Sequence, residues 1–334
     1  MKLIESVPNF SEGRNFEKID TIVHSLKRDG VSVLHIDSGV AANRTVVTVV
    51  GSQKDLMPAL FDFVKTSSDL IDLRKHEGVH PFFGAVDVLP FVPLGTSTME
   101  ECIDCAKTLG KLVGDQLDIP VFLYGKAATH RQRAELNFLR RGGFDNLQQR
   151  MFTDPLMVPD FGPTTMHRTA GAIAIGARPI LVAFNISLDT TSASIAQNIA
   201  ELVRASGPQK KSLLKKHPAK CLPEIKAIGW YVTEYGCAQV SMNVCDYTVT
   251  SLQAAYESVN EVATAFGIKV RGSEIIGLVP ESALILTGFD YGASNSDPKD
   301  RIIATAINKL GLNYHYPFEV SEKVIEKQLP TLNT

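Results

Sequence analysis

The chain lacks the long apolar runs that a transmembrane helix requires. No stretch of about 18 consecutive apolar residues occurs anywhere in its 334 residues. The first residues, MKLIE, also lack the apolar core of a secretory signal peptide. The sequence therefore predicts a protein with neither a membrane span nor a secretory leader.

Excess charge and paired cysteines are absent as well. Lys and Arg total 34 against 36 Asp and Glu, a formal net charge of −2, which gives no basis for expecting a nucleic-acid partner. Five cysteines, an odd number at irregular spacing, favour a reduced, cytoplasmic compartment over a disulfide framework. Cys102 and Cys105 form a lone C-x-x-C inside a helical pattern, which predicts packing rather than metal binding or redox chemistry.

Strand and helix patterns alternate along the whole chain. Apolar patterning predicts strands at 31–37, 45–50, 86–92, 120–124, 180–186, 227–232 and 239–244, with extended pieces at 268–270 and 275–278. Apolar stripes at helical spacing predict helices after Ser52, after residue 97, over 195–203 and over 252–266, where Gly267 can end the last one. Residues 97–100, STME, read as a capping box. Two α/β units, 1–180 and 181–334, are therefore expected.

The segment 76–93, HEGVHPFFGAVDVLPFVP, carries the most chemical information. It opens with H-E-x-x-H, a zinc-protease pattern that needs both histidines on one face of a continuous helix. Gly78 weakens a helix interior and Pro81 pushes His80 out of helical conformation, so the sequence argues against a zinc site. The alternative is a loop that enters a strand with His80 at its mouth, where an imidazole suits a general base. The sequence equally allows a purely structural role for His80, with its ring bonded to a backbone carbonyl.

Two basic segments have two possible interpretations: each is a solvated surface, or each attracts an anionic ligand. The first, 206–226, carries Lys210, Lys211, Lys215, Lys216 and Lys220. The second carries His130, Arg131, Arg133, Arg140 and Arg141.

A series of short blocks runs from one end of the chain to the other. They read VPNFSEG at 7–13, Asp37 with NRTV at 43–46, HP at 80–81 with GAVDV at 84–88, PDFGP at 159–163, GAR at 176–178, AFN at 183–185, AIGWY at 227–231, AQVSMN at 238–243 and GLVP at 277–280. In this order they resemble the glutamate formimidoyltransferase family, the folate-dependent enzymes of histidine breakdown.

The resemblance implies a fold and a reaction. The fold is α/β, with two α/β subdomains, each a sheet with helices on its outer face, and a ligand groove between them. The reaction is transfer of a formimidoyl group from N-formimidoyl-L-glutamate to N5 of tetrahydrofolate. Tetrahydrofolate is then a co-substrate that can carry a polyglutamate tail, and no metal takes part. The family also implies a homodimer, and a cyclodeaminase domain is often fused to it in animals; this chain is too short to include one.

The resemblance also implies roles for particular residues. The family's catalytic histidine corresponds to His80. Its folate-contacting segment corresponds to 162–171, which contains Gly162, Pro163, Thr164, Thr165 and Gly171. The family usually has Glu and Arg beside the histidine, where this chain has Val79 and Phe82. A divergent folate-binding paralogue, with another one-carbon donor or no transfer activity, is therefore the alternative function, and a zinc hydrolase is a third.

Residue chemistry adds further candidates. Asp37 could face the cationic amidine as a second catalytic residue. Arg44 and Arg178 could bind substrate carboxylates bidentately, or form structural ion pairs. Asn185 could bond the pterin edge or satisfy a buried backbone group, and Asp87 could act in the site or simply lie at a strand edge.

We predict that activity does not depend on a metal, because Gly78 and Pro81 prevent a zinc-protease helix. Exhaustive chelation should leave the rate of formimidoyl transfer unchanged. Stoichiometric zinc in the purified protein, with activity lost on its removal and regained on its return, would contradict this prediction.

Overall fold

The computed structural model describes residues 2–208, 213 and 219–329. Its chain divides into two units, residues 1–179 and 180–334. None of the described helices is long and apolar enough to cross a membrane. The lysines at 210, 211, 215 and 216 lie outside the described residues, so the ligand hypothesis for that segment stays a prediction.

The first unit contains a seven-stranded mixed sheet. Its strands are β1 (Lys2–Ser6), β2 (Asn9–Phe10), β3 (Val31–Gly39), β4 (Arg44–Gly51), β5 (Val86–Gly95), β6 (Val121–Gly125) and β7 (Ile173–Ala177). Both β1 and β2 lie between β4 and β5, while β3 pairs with the outer side of β4. Strands β5, β7 and β6 run parallel, and the remaining pairs are antiparallel.

Three long helices cover one face of this sheet: α1 (Phe16–His24), α2 (Gln53–Leu70) and α3 (Met99–Leu117). Each begins at a side-chain cap, since Asn15, Ser52 and Thr98 accept a backbone N–H of the first turn. Their apolar stripes pack on the buried residues of β4 and β5. Cys102 and Cys105 belong to that stripe, which confirms their predicted packing role.

The other face of the first sheet also has a cover. Two short helices, α4 (Leu136–Leu139) and α5 (Gly143–Thr153), lie there with 3₁₀ turns at Arg131–Ala134 and Pro155–Met157, whereas a third 3₁₀ turn, Leu73–Lys75, packs on the first cluster through Leu73. Leu139, Leu147 and Met151 pack with Phe83 in a second apolar cluster. This second cluster buries Phe83, near the end of the 76–85 segment.

The second unit is an antiparallel four-stranded sheet in a βαββαβ arrangement with the order β11-β8-β10-β9. Its elements are β8 (Val182–Leu188), α6 (Ala193–Val203), β9 (Ile225–Val232), β10 (Cys237–Val244), α7 (Leu252–Ala265), β11 (Val270–Ile276), α8 (Glu281–Asp290), α9 (Lys299–Leu310), α10 (Val320–Lys323) and α11 (Ile325–Gln328). Alternate residues of β8 and β10 pack with α6 and α7 in one apolar core. The intervening residues, Asn185, Ser187 and Gln239, are buried and polar.

All seven predicted strands are present, and the two extended pieces after Gly267 form one strand, β11. The predicted capping box was wrong by one residue. The structure uses Thr98 and Glu101, whose side chains each accept the other residue's backbone N–H, rather than Ser97 and Glu100. The hydroxyl of Ser97 is instead buried without a hydrogen-bond partner among the described residues.

We predict that Thr98→Ala lowers the free energy of unfolding by about 1 kcal/mol, because it removes the helix cap. Ser97→Ala is the matched control and should cost nothing, since its hydroxyl makes no bond that would be lost. Urea unfolding of the two variants checks this. A larger loss for Ser97→Ala than for Thr98→Ala would return the cap to Ser97.

Candidate active site

The segment 76–85 connects a 3₁₀ turn to β5 and contains no helix. The H-E-x-x-H residues therefore do not take the helical geometry of a zinc protease. The ring of His76 lies edge-on to Phe82, with ring centroids 4.4 Å apart. Among the described residues, no group of three or more His, Cys, Asp or Glu side chains could hold a metal ion.

His80 is half-buried in the middle of this loop. Its Nδ1 lies 2.7 Å from the carbonyl oxygen of Pro81. Because a carbonyl only accepts, Nδ1 carries the proton and Nε2 keeps its lone pair. Arg44 also approaches Nδ1, at 3.3 Å, but both groups are donors in this tautomer, so the contact is electrostatic repulsion rather than a hydrogen bond.

The side chain of Asp87 lies at the centre of the site and is 0% exposed. Its Oδ2 accepts Arg44 Nη1 at 2.8 Å and Arg140 Nε at 2.8 Å, and a further bond from Arg140 Nη2. Its Oδ1 accepts the backbone N–H of Phe83 at 2.9 Å. One carboxylate therefore joins β5, the start of β4, the residue after α4 and the loop that carries His80.

The two cations set the protonation state of the site. Burial by itself would raise the pKa of Asp87, but Arg140 and Arg44 outweigh it and hold the pKa at about 2. Burial lowers the pKa of Arg44 to about 10, so this guanidinium stays charged at neutral pH. Burial also lowers the pKa of His80 well below its ordinary value, and Arg44 and Arg140 lower it further. His80 is therefore an uncharged imidazole at neutral pH.

Asn43 fixes the segment that leads into Arg44. It adopts the left-handed backbone conformation, φ 48°, which asparagine tolerates better than most residues. Its Oδ1 accepts the N–H of Gly13 at 2.9 Å, while Nδ2 donates to the carbonyl of Glu77 at 2.9 Å and to His76 Nδ1 at 3.3 Å. One side chain thus ties together three segments that are distant in sequence.

The candidate folate segment 162–171 packs onto the same loop at one end. His167 and Gly171 exchange backbone hydrogen bonds, and Ala170 and Ala172 pair with the backbone of residues 83–85. Gly171 has φ 69°, and a Cβ there would lie 2.2 Å from the carbonyl oxygen of Phe83, so only glycine fits. At the other end, Gly162, Thr164 and Thr165 are exposed, and Pro163 is half-buried.

The remaining predicted site residues lie in different places. Asp37 is on β3 opposite Val46. Arg178 follows β7. Burial raises the pKa of Tyr124, and the positive charges of Arg178 and Arg140 reduce that rise. In the second unit, Asn185 is buried on β8 and donates to Glu274 Oε1 at 3.2 Å.

Arg140 and Asn43 are the site residues whose roles the sequence did not reveal. Arg140 stands in the run LRRGG, where nothing separates it from exposed Arg141, and its partner Asp87 is 53 residues away. No local pattern could have found that pair.

The chain that carries this neutral histidine, buried carboxylate and two arginines matches two family models. The model "Formiminotransferase domain, N-terminal subdomain" matches residues 3–178, and the model "Formiminotransferase domain" matches residues 183–330. The chain belongs to the formiminotransferase domain family.

Curated relatives agree with this assignment. A glutamate formimidoyltransferase of Streptococcus pyogenes serotype M1 is 40% identical over 285 residues, 85% of this chain and 91% of the relative. The same-named protein of Thermoplasma acidophilum is 37% identical over 302 residues, 87% of this chain and 95% of the relative. A formimidoyltransferase-cyclodeaminase of Rattus norvegicus is 38% identical over 98% of this chain, which spans 60% of that relative's length.

We predict that Asp87→Asn destabilises the protein by about 3–5 kcal/mol, because it leaves two buried guanidiniums without their counterion. Asp72→Asn is the control: Asp72 also has a pKa lowered to about 2, by Arg74, but water screens this surface pair, so little should change.

The pH dependence has a definite sign. A carboxyl whose pKa is lower in the folded than in the unfolded protein stabilises above the unfolded pKa, about 4. The difference between the wild type and Asp87→Asn should therefore be constant above about pH 5 and shrink as the pH falls towards 2. Urea unfolding at several pH values measures it. A difference independent of pH down to acid would contradict the charged pair.

Proposed function

We propose that this protein is a glutamate formimidoyltransferase, which transfers the formimidoyl group of N-formimidoyl-L-glutamate to N5 of tetrahydrofolate. The observation that carries the proposal is His80, an uncharged imidazole beside Arg44 and the buried Asp87, in a chain of the formiminotransferase family. The names of the bacterial and archaeal relatives support the same reaction.

The reaction requires a base that is uncharged when substrate arrives. N5 of tetrahydrofolate attacks the amidine carbon. In the tetrahedral intermediate, N5 then carries both its proton and a positive charge. His80 Nε2 accepts this proton and returns it to the glutamate nitrogen, whose bond to the amidine carbon then breaks. Because the proton comes from a cationic nitrogen, an imidazole of low pKa can remove it. Holding both substrates together supplies much of the remaining rate.

The other site residues have roles consistent with this reaction. In this proposal, Asp37 stabilises the amidinium charge and the segment 162–171 binds tetrahydrofolate. Arg178 and Asn185 bind polar groups of the substrates. The folate co-substrate, with or without a polyglutamate tail, a role in histidine degradation, a homodimer and a cytoplasmic location belong to the same proposal.

Val79 and Phe82 support one alternative, a folate-binding paralogue with another donor or none. Val79 is 51% exposed, and Phe82 packs on His76 instead of offering a charge. A protein of this kind would bind tetrahydrofolate without transferring the formimidoyl group from N-formimidoyl-L-glutamate.

We predict that His80→Ala lowers kcat by about 10²–10⁴ because it removes the general base. Tetrahydrofolate binding should persist, since the loop is held through Asp87 and Phe83 rather than through the imidazole. A coupled assay with both substrates and calorimetric folate binding measure the two quantities.

His130→Ala is the control, since that histidine is exposed and lies outside the Asp87 group. Wild-type turnover in His80→Ala would remove His80 from the mechanism. Folate binding by the wild type without any turnover would favour the paralogue.

A further inference from the structure

The Asp87 group contains more guanidinium donors than its carboxylate uses. Arg44 donates Nε to Asn9 Oδ1 at 3.0 Å and Nη1 to Asp87. Arg140 donates Nε and Nη2 to the same oxygen of Asp87. Each guanidinium therefore has a further terminal nitrogen, Nη2 of Arg44 and Nη1 of Arg140, for which the described residues provide no acceptor.

Asp87 cannot satisfy these remaining donors. Its Oδ2 already accepts three bonds from the two arginines, and its Oδ1 accepts the amide of Phe83. The group also has two cations for one anion, and the neighbouring His80 is uncharged. A net positive charge remains where Arg44 is only 8% exposed, and such a site favours a second anion.

We propose that Arg44 and Arg140 form a receptor for the α-carboxylate of the formimidoyl donor beside His80. This inference rests on the proposed transferase function. Guanidinium groups bind carboxylates through paired N–H donors, and Asp87 fixes both guanidiniums before substrate arrives. Both arginines would then have a second role besides holding the carboxylate of Asp87.

The chemistry of the two substrates decides which carboxylate this receptor takes. In N-formimidoyl-L-glutamate, the α-carboxylate is on the carbon that bears the leaving nitrogen, the one from which the formimidoyl group departs. In tetrahydrofolate, the whole p-aminobenzoyl group separates the glutamate carboxylates from N5. An anion held by the arginine that approaches His80 therefore lies next to the reacting atoms only if it belongs to the donor.

Binding there has two consequences for the reaction. The carboxylate positions the amidine carbon near His80. It also offsets part of the positive potential at the imidazole, which makes Nε2 a stronger base once the donor is bound.

The test compares two donors that differ only in this carboxylate. N-formimidoyl-4-aminobutyrate lacks the α-carboxylate of N-formimidoyl-L-glutamate and keeps the other. The wild type should prefer the glutamate donor by about 10–10² in kcat/KM, the range expected for hydrogen bonds to a charged group.

Arg140→Met should lose most of that preference. Its kcat/KM should fall further on the glutamate donor than on the aminobutyrate donor, because a deleted residue and a deleted substrate group remove the same interaction. The KM for tetrahydrofolate should not change. Arg140→Lys keeps the charge and should retain part of the preference.

Arg141→Met is the matched control: the adjacent arginine is exposed, and this variant should discriminate as the wild type does. Equal losses on both donors in Arg140→Met would show that Arg140 acts only through Asp87 and would overturn the receptor.

Two outcomes separate this inference from the proposed function. If the wild type transfers formimidoyl groups but does not distinguish the two donors, the receptor fails and the transferase stands. If the wild type binds N-formimidoyl-L-glutamate more tightly than Arg140→Met by calorimetry yet transfers nothing, the receptor stands and the transferase fails.

Discussion

The buried carboxylate of Asp87 is the constraint on which the rest of the site depends. Removing a carboxylate from water costs several kcal/mol unless charges and hydrogen bonds replace the lost hydration. Arg44, Arg140 and the amide of Phe83 provide that replacement. Meeting this requirement forces the start of β4, the end of α4 and the His80 loop to one place.

The site forms where the chain enters β5, at the amino end of three parallel strands. Open parallel sheets usually place ligands at the carboxyl ends of their strands. This sheet is mixed, and β2 runs antiparallel to both β4 and β5. The last residue of β2 and the first residues of β4 therefore lie beside the start of β5, and Arg44, bonded to Asn9, reaches the loop that carries His80.

The charges around His80 come from distant parts of the chain rather than from its sequence neighbours. Val79 is exposed and Phe82 packs on His76, so neither contributes a charge. Arg44 and Arg140 contribute the cations instead, and burial keeps their field unscreened. A loop with apolar flanks can therefore contain a histidine whose pKa is lowered first by burial and then by two distant arginines.

The sequence by itself determined strands β3–β6 and β8–β11, helices α2, α3, α6 and α7, the loop character of 76–85 and the family. These depend on local periodicity, on Gly and Pro, and on contiguous blocks. The cap at Thr98 rather than Ser97 depended on which hydroxyl faced the first-turn amides, which local pattern alone does not specify. Only the tertiary structure decided that Arg140, rather than Arg141, joins Asp87. A buried ion pair between residues 53 positions apart has no signature in either segment, since its stability comes from burial that the whole sheet creates.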